Sequence, residues 1–300
     1  GKRHIVSQKT EHHAVLNTLA KLEKRGFEIT LLDVDGEGKI SADRVENAIR
    51  EDTALVTVMT ANNETGVLMP VKEIAEVCHE NGVLFHTDAV QAVGHISVDV
   101  NDIDCDMLSL SAHKFHGAKG VGALYCKRGI TPYTLIEGGG QERGVRSGTE
   151  NVGGICAMAA ALKEAVDSLD ENIGRVLDMR NALEKGLSFI PFCRINGSAD
   201  RLPSIVNIGF EGIESESLLL MLDNEGICCS AGSACNSGSL DPSYVLKAMG
   251  QTDEAAMSAV RFSLSEYNTL DEIEYIVQKT MEIVKYLRSV SPVWERLHGH

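Results

Sequence analysis

The chain has 300 residues, of which 43% are apolar and 24% are charged, as in an ordinary globular protein. This length can bury a sizeable core and is sufficient for two structural units. The net charge of −15 argues against a nucleic-acid partner, because phosphates would be repelled, and no stretch is long and apolar enough to predict a membrane span.

The first half of the chain alternates short apolar strands with amphipathic helical patterns. Such alternation is typical of a largely parallel sheet with helices on its faces. The predicted helices include Ala14–Arg25 and Val71–Asn81. The predicted strands are, in chain order, Ile5–Ser7, Glu28–Leu32, Ala54–Met59, Leu84–Asp88, Met107–Ser111 and Gly122–Cys126.

The second half no longer alternates regularly, which is typical of a smaller α+β domain. It begins with a helix-rich region from about Val152 to Leu187. We therefore expect a large domain over residues 1–168 and a small C-terminal domain over residues 169–300. The later predicted elements are a strand at Ile205–Ile208, a helix at Glu214–Asn224, a strand at Val260–Ser263 and a helix at Leu270–Leu287.

Lys114 is the most informative residue of the chain. It follows the predicted strand Met107–Ser111 and precedes a glycine-studded stretch, and a lysine held at such a strand end can lose its charge to burial and attack a carbonyl. Asp88 also ends a predicted strand, and ligands of parallel sheets collect beyond the carboxyl ends of the strands. The pair suggests a pyridoxal 5'-phosphate (PLP) site, with Lys114 for the aldehyde and Asp88 for the pyridine nitrogen. The alternative is a solvated surface lysine.

Three further polar segments accompany this predicted site. Asn62-Asn63-Glu64 follows a predicted strand, so its amides could face the same crevice, although a simple turn is the alternative. His12 opens a predicted helix, where a solvated N-terminal turn is the alternative. The glycine-rich stretch Glu137–Asn151, which contains Arg143 and Arg146, is either an anion-binding loop or a mobile linker.

Most of the eight cysteines are scattered singly through apolar or helical contexts. This pattern favours reduced thiols in the cytoplasm over a disulfide framework. Cys235 differs, because the small and polar residues around it predict an exposed loop in which a thiol can become a thiolate nucleophile. A metal site shared with Cys228 and Cys229 is disfavoured, since the spacing matches no usual zinc pattern and no histidine is near in the sequence.

Arg261 is a charged residue inside a predicted apolar strand, Val260–Ser263. Surface arginines are common, but an arginine in the middle of such a strand needs an anionic partner. The carboxylate of a substrate would meet this need, because a guanidinium group can hold it with two parallel N–H donors.

Together these segments closely resemble the cysteine desulfurases, PLP enzymes of aminotransferase fold type I, class V. The resemblance runs from residue 1 to about residue 297 and is to the group of housekeeping and nitrogen-fixation desulfurases. It implies a PLP-binding large domain with a mostly parallel, seven-stranded-type sheet, and a smaller α+β domain that carries the catalytic cysteine. The motifs are Thr10-Glu11-His12, Asn62-Asn63-Glu64, His86-Thr87-Asp88-Ala89-Val90-Gln91, Ser111-Ala112-His113-Lys114, Arg143-Gly144-Val145-Arg146-Ser147-Gly148-Thr149, Ser233-Ala234-Cys235 and Arg261-Phe262-Ser263.

The resemblance implies a role for each site residue in the conversion of L-cysteine to L-alanine. Lys114 would hold the cofactor and move the α-proton of the substrate. Cys235 would take the sulfur atom as a persulfide, and Arg261 would bind the substrate carboxylate. The other implied contacts are Asp88 on the pyridine nitrogen, His12 on the ring face and in proton transfer, Asn63 and Gln91 on the phenolic oxygen and towards the substrate, and Ser111, His113 and a second subunit's Thr149 on the phosphate.

The resemblance also implies a homodimer that passes sulfur to an iron–sulfur scaffold or a sulfur-relay protein. It implies no resident metal, with Cys235 at most a transient ligand of an iron–sulfur cluster. Members of the family carry a further N-terminal part in which a helix N-terminus cups the cofactor phosphate, so we expect a fragment, or a separate chain that supplies this part. The alternatives are another PLP-dependent lyase or aminotransferase, including one acting on selenocysteine, and a non-catalytic subunit that only binds a sulfur acceptor.

Overall fold

The computed structural model describes residues 1–231 and 241–299 and divides the chain into two units. The first unit is made of residues 1–32, 41–61 and 69–169. The second unit is made of residues 33–40, 62–68 and 170–300. Asn63 therefore belongs to the second unit, whereas Lys114 belongs to the first. Functional domains with the boundaries 1–168 and 169–300 stay a prediction.

The first unit is built on a six-stranded sheet. Its strands are β1 (His4–Gln8), β2 (Glu28–Leu32), β3 (Thr53–Thr57), β4 (Leu84–Asp88), β5 (Met107–Ser111) and β6 (Gly122–Cys126). The spatial order is β2-β1-β3-β4-β5-β6; the first five strands run parallel, and β6 pairs antiparallel with β5. The predicted mostly parallel α/β architecture is confirmed, with six strands here where the resemblance implied a seven-stranded type.

Helices connect and cover the strands of this unit. They are α1 (His13–Glu23), α2 (Ala42–Ala48), α3 (Val71–Glu80), α4 (Val100–Ile103) and α5 (Val152–Asp167). The helix α3 packs against β4 because its apolar residues recur at helical spacing on one face. The buried residues of this face are Val71, Ile74, Ala75 and Cys78. Full burial of a side chain such as Ile74 contributes about 1.5–3 kcal/mol to this packing.

The second unit has a four-stranded antiparallel sheet and the longer helices. Its strands are β7 (Cys193–Ile195), β8 (Ile205–Phe210), β9 (Ser230–Ala231) and β10 (Ala259–Ser263), in the order β7-β8-β10-β9. Its helices are α6 (Leu169–Leu187), α7 (Ser215–Asn224), α8 (Tyr244–Ala248), α9 (Asp253–Met257), α10 (Leu270–Ser289) and α11 (Pro292–His298). This arrangement confirms the predicted α+β character of the C-terminal half.

The long helix α10 shows how local sequence sets an element of this unit. Thr269 caps its N-terminus and accepts a hydrogen bond from the Glu272 N–H, and the Glu272 carboxylate accepts one from the Thr269 N–H in return. Ile273, Ile283 and Val284 then bury one face of the helix in the core of the unit. In the described part of the chain, no helix combines the length and the apolarity needed to cross a membrane.

Candidate active site

Lys114 lies in one turn of 3₁₀ helix, Ala112–Phe115, that directly follows β5. The N–H of Gly117 donates to the carbonyl of Ala112 at 2.8 Å and closes this turn. A Cβ atom at Gly117 would lie 2.9 Å from the same carbonyl oxygen, so the close approach requires glycine. The main-chain carbonyl of Lys114 accepts a hydrogen bond from Nε2 of His95 at 2.8 Å. The backbone of the lysine is therefore fixed at the carboxyl end of an inner strand.

Asp88 is the last residue of β4 and is only 9% exposed. Its carbonyl accepts a hydrogen bond from the Thr60 N–H at 2.9 Å, and its Oδ1 accepts one from the Val90 N–H at 3.0 Å. Because β4 and β5 are neighbours in the sheet, the strand ends that carry Asp88 and Lys114 are adjacent. The structure thus brings these two predicted site residues to one edge of the sheet.

His12 caps the N-terminus of α1, and its Nδ1 accepts a hydrogen bond from the Ala14 N–H at 3.1 Å. The neutral ring therefore carries its proton on Nε2. Burial lowers the pKa of His12, the negative charge of Asp88 opposes this shift, and the positive charges of His13 and Lys114 add to it. His12 thus lies within electrostatic reach of both strand-end residues.

Glu11 is a fully buried carboxyl group directly before His12, and sequence reasoning gave it no role. Its Oε1 accepts hydrogen bonds from the Met59 N–H at 2.7 Å and from Nε2 of Gln8 at 2.9 Å. Burial raises the pKa of Glu11 to about 8; the two hydrogen bonds lower it and the charge of Asp88 raises it further. The group is therefore largely protonated at neutral pH. The only signal in the sequence is an acidic residue directly before His12.

The remaining predicted site residues of the first unit lie on turns and loops. Ser111 and His113 are joined by a hydrogen bond of 2.8 Å between Oγ and Nδ1. Gln91 is partly buried in the turn that follows β4, and Thr149 is exposed beyond the glycine-rich stretch. A hydroxyl and an imidazole are both groups that can donate to a phosphate, and the hydrogen bond between these two uses one of their hydrogens.

In the second unit, Arg261 occupies the middle of β10 between Asn207 of β8 and Ser230 of β9. Its Nη1 donates to the main-chain carbonyl of Asn63 at 2.6 Å. Nε of Arg261 and Oδ1 of Asn63 are both buried and have no hydrogen-bond partner among the described residues. An unsatisfied buried polar atom costs about 1–3 kcal/mol, so two of them in contacting residues indicate a ligand that would satisfy them.

Glu64 anchors the segment that carries Asn63. Its Oε2 accepts a hydrogen bond from Oγ of Ser243 at 2.5 Å, and its main-chain carbonyl accepts one from Nδ2 of Asn207 at 3.1 Å. Burial raises the pKa of Glu64 to about 7, while the hydrogen bond from Ser243 and the positive charge of Arg261 lower it. Sequence reasoning assigned no function to this carboxyl group.

Cys235, the predicted nucleophile, lies outside the described residues. Of the two cysteines nearest to it in the sequence, Cys228 is exposed and Cys229 is partly buried. Burial raises the pKa of Cys229 to about 12, which keeps this thiol protonated at neutral pH. Within residues 1–231 and 241–299, no three His, Cys, Asp or Glu side chains come together as a metal-binding group.

Comparisons with known proteins place these observations in a family. The model of the aminotransferase class-V family matches residues 1–276. The cysteine desulfurase IscS of Clostridium botulinum is 49% identical over 296 residues, which cover 97% of this chain and 75% of that protein. The solved structure of a NifS-like protein superposes with a TM-score of 0.89 at 37% identity, over 95% of this chain and 76% of that one. A structure described as SspA in complex with cysteine gives a TM-score of 0.76 at 35% identity, over 89% of this chain and 75% of that one.

Proposed function

The chain belongs to the class-V aminotransferase family and, within it, to the cysteine desulfurases, and we propose that it removes sulfur from L-cysteine, leaves L-alanine and supplies the sulfur for iron–sulfur cluster assembly. It is a PLP-dependent enzyme, as the family is. When bound, this cofactor supplies an electron sink for the carbon atoms of the substrate.

The residues of the first unit fit this cofactor. Lys114 offers an amine for its aldehyde carbon, and the nearly buried Asp88 offers a carboxylate for its pyridine nitrogen. Ser111 and His113, already joined by a hydrogen bond, offer donors for its phosphate. A carboxylate, an amine and hydrogen-bond donors for a phosphate, all near adjacent strand ends, are the groups that PLP requires. Gln91 is assigned to its phenolic oxygen on the family resemblance.

Two residues of the first unit move protons in the proposed reaction. Lys114, once its amine is free, takes the proton from the α-carbon of the substrate and returns a proton to carbon, so it acts as both base and acid. His12 carries its proton on Nε2 and is neutral, since burial lowers its pKa, so it can pass that proton to a neighbouring group. Its position as the N-cap of α1 holds the ring in one orientation.

Two residues of the second unit bind the substrate in this proposal. Arg261 holds the carboxylate of L-cysteine with its guanidinium group, for which its buried and unpartnered Nε is available. Asn63, whose carbonyl orients Arg261, contributes its side-chain amide to the phenolic oxygen of the cofactor and to the substrate. The assignment of Arg261 rests on the family resemblance and on its unsatisfied Nε. The assignment of Asn63 to the phenolic oxygen rests on the family resemblance, and its unsatisfied Oδ1 is an acceptor for a donor group of the substrate.

The sulfur step is assigned to Cys235. Its thiolate attacks the sulfur atom of the substrate, an S–S bond forms, and the C–S bond breaks with its electron pair left on carbon. That carbon takes a proton and becomes the methyl group of alanine, and the enzyme keeps a persulfide. The persulfide then passes to an iron–sulfur scaffold or a sulfur-relay protein, and Cys235 ligates a cluster only transiently. We place this chemistry in the cytoplasm, on a homodimer in which each subunit's Thr149 contacts the phosphate bound by the other.

One observation carries the proposal: Asp88 ends β4, Lys114 lies in the turn that directly follows the neighbouring strand β5, and the charges of both act on His12. The test is to load the purified protein with PLP, add L-cysteine, and measure alanine, sulfide and the mass of the Cys235 peptide. We expect alanine in proportion to sulfur and a persulfide on Cys235. Cys235→Ser should keep the cofactor and lose the persulfide, while the matched variant Cys228→Ser should behave as the wild type. Cofactor binding without alanine formation would contradict the assignment.

A further inference from the structure

A row of three polar side chains crosses one face of the sheet in the first unit, just before the strand ends. Oγ1 of Thr57 on β3 lies 2.8 Å from Nδ1 of His86 on β4, and Nε2 of His86 lies 2.9 Å from Oγ of Ser109 on β5. Thr57 is the register partner of His86. Both ring nitrogens of His86 are therefore engaged by hydroxyl groups from the strands on either side.

This row is tied to Asp88 in two ways. His86 and Asp88 are two residues apart on β4, so their side chains point to the same face of the sheet. Ser109 is the register partner of Asp88, and its carbonyl accepts a hydrogen bond from the Ala89 N–H at 3.0 Å. The side chain of His86 is thus hydrogen-bonded to the residue that lies directly opposite Asp88.

The neutral state of the His86 ring is compatible with a role in supporting Asp88. Burial lowers the pKa of His86, and the negative charge of Asp88 raises it by a smaller amount, so the ring is neutral at neutral pH. Hydroxyl groups both donate and accept, so Thr57 and Ser109 can satisfy a neutral ring in either tautomer. A charged imidazolium at this place would instead compete with the cofactor for the carboxylate of Asp88.

We propose that His86 is a positioning residue for the cofactor, which bridges Thr57 and Ser109 and thereby holds Asp88 in one orientation with its full charge directed to the pyridine nitrogen. This inference rests on the proposed function, since it presupposes that Asp88 binds PLP. It adds a residue that itself contacts neither cofactor nor substrate. Side chains that orient a ligand-binding group in this way often matter nearly as much as the group itself.

The test measures two properties of each variant: the dissociation constant of PLP, from the visible absorbance of the bound cofactor, and the thermal midpoint of the cofactor-free protein. His86→Phe keeps the ring volume and removes both hydrogen bonds, and should weaken PLP binding by about tenfold or more. His86→Gln, whose amide can replace Nε2 towards Ser109, should recover most of this loss. The double variant Thr57→Val, Ser109→Ala leaves the ring in place and should weaken binding as His86→Phe does.

A matched control is His79→Phe, since His79 also bridges groups of the first unit, Asp104 and Asp106, but does not touch the row. It should change the thermal midpoint without changing the affinity for PLP. If His86→Phe and the double variant lower only the thermal midpoint, the role of His86 is structural and the inference is overturned; if His86→Phe does not fold, the double variant decides. A wild-type protein that fails to bind PLP would instead overturn the proposed function.

Discussion

Each of the two units buries one glutamate beside a proposed site residue, but the charged residues near these two carboxyl groups have opposite signs. In the first unit, Glu11 precedes His12, binds a main-chain N–H and an amide, and has the anion Asp88 as its charged neighbour. In the second unit, Glu64 follows Asn63, binds the hydroxyl of Ser243, and faces a cation, Arg261. Burial raises the pKa of Glu11 to about 8 and that of Glu64 to about 7; the charge of Asp88 adds to the first shift, and the charge of Arg261 opposes the second.

The difference indicates how each unit holds its site residues. The first unit presents Asp88 at the end of β4, where the strand ladder fixes its backbone. It presents Lys114 in the turn that follows β5, where the Gly117 N–H and the His95 ring hold the main chain. The second unit presents Asn63 on a loop that has no strand of its own and is held by side chains of Asn207, Ser243 and Arg261.

The largest expected effect is at the strand end of the first unit. Lys114→Ala should remove the proton-transfer group and the attachment of the cofactor, and should lower alanine formation by roughly 10²–10⁴-fold. The visible spectrum of the bound cofactor should change at the same time. The exposed Lys119 in the same glycine-rich stretch supplies the matched control, Lys119→Ala, which should keep both rate and spectrum. An unaltered spectrum in Lys114→Ala would refute the assignment of this lysine.

The corresponding change in the second unit should act on substrate binding. Arg261→Lys keeps the charge but loses the planar set of donors, one of which binds Asn63, so KM for L-cysteine should rise by about 10- to 100-fold. The value of kcat should change much less. Arg194→Lys, on the exposed edge strand β7, is the control and should leave KM as it is. An equal KM in both variants would remove Arg261 from the substrate site.

The two buried glutamates should make stability depend on pH to different extents. The folded protein binds the protons of these carboxyl groups more tightly than the unfolded chain does, because the ordinary pKa of a glutamate is 4.5 and both pKa values are raised in the folded protein. Their stabilising contribution is therefore complete below pH 4.5, and it is lost as the pH rises through about 7 for Glu64 and about 8 for Glu11. The free energy of unfolding in urea, measured across this range, should fall with pH.

Glu11→Gln and Glu64→Gln keep an acceptor oxygen and cannot ionise, so each should flatten this pH dependence. The effect should be greater for Glu11, because its pKa is shifted further. A slope that is unchanged in Glu11→Gln would show that its carboxyl group is ionised in the folded protein. That result would remove the contrast between the two units.

The smallest expected effect is at the cap of α8. Ser243→Ala removes the N-cap hydrogen bond to the Leu246 N–H and leaves the carboxyl group of Glu64 without its donor. Loss of a cap costs about 0.5–2 kcal/mol in unfolding free energy. Thr252→Ala at the cap of α9 removes only a cap and should cost less. Equal costs would indicate that the contact between Ser243 and Glu64 adds nothing to the anchoring of the loop.

The strands of the first unit could be predicted closely, because short apolar runs that alternate with helical patterns are local signals. Four of the six predicted strands have the observed bounds, and β1 and β3 differ by at most two residues. The family resemblance, drawn from motifs in register, is confirmed by the comparisons. Several short elements were not predicted, since a strand of two or three residues or a helix of one or two turns has no clear period. These elements are β7, β9, α2, α4, α8, α9 and α11.

The sequence alone determined the elements that carry Asp88, Lys114 and Arg261, because strand ends and the residues that follow them are visible in local patterns. Only the tertiary structure decided the burial of Glu11 and Glu64, the bridge made by His86, and the grouping of Asn63 with the second unit. The physical reason is distance along the chain. Glu11 meets the N–H of a residue 48 positions away, and Glu64 meets a hydroxyl 179 positions away. Such contacts, and the pKa shifts that follow from their burial, exist only once the chain has folded.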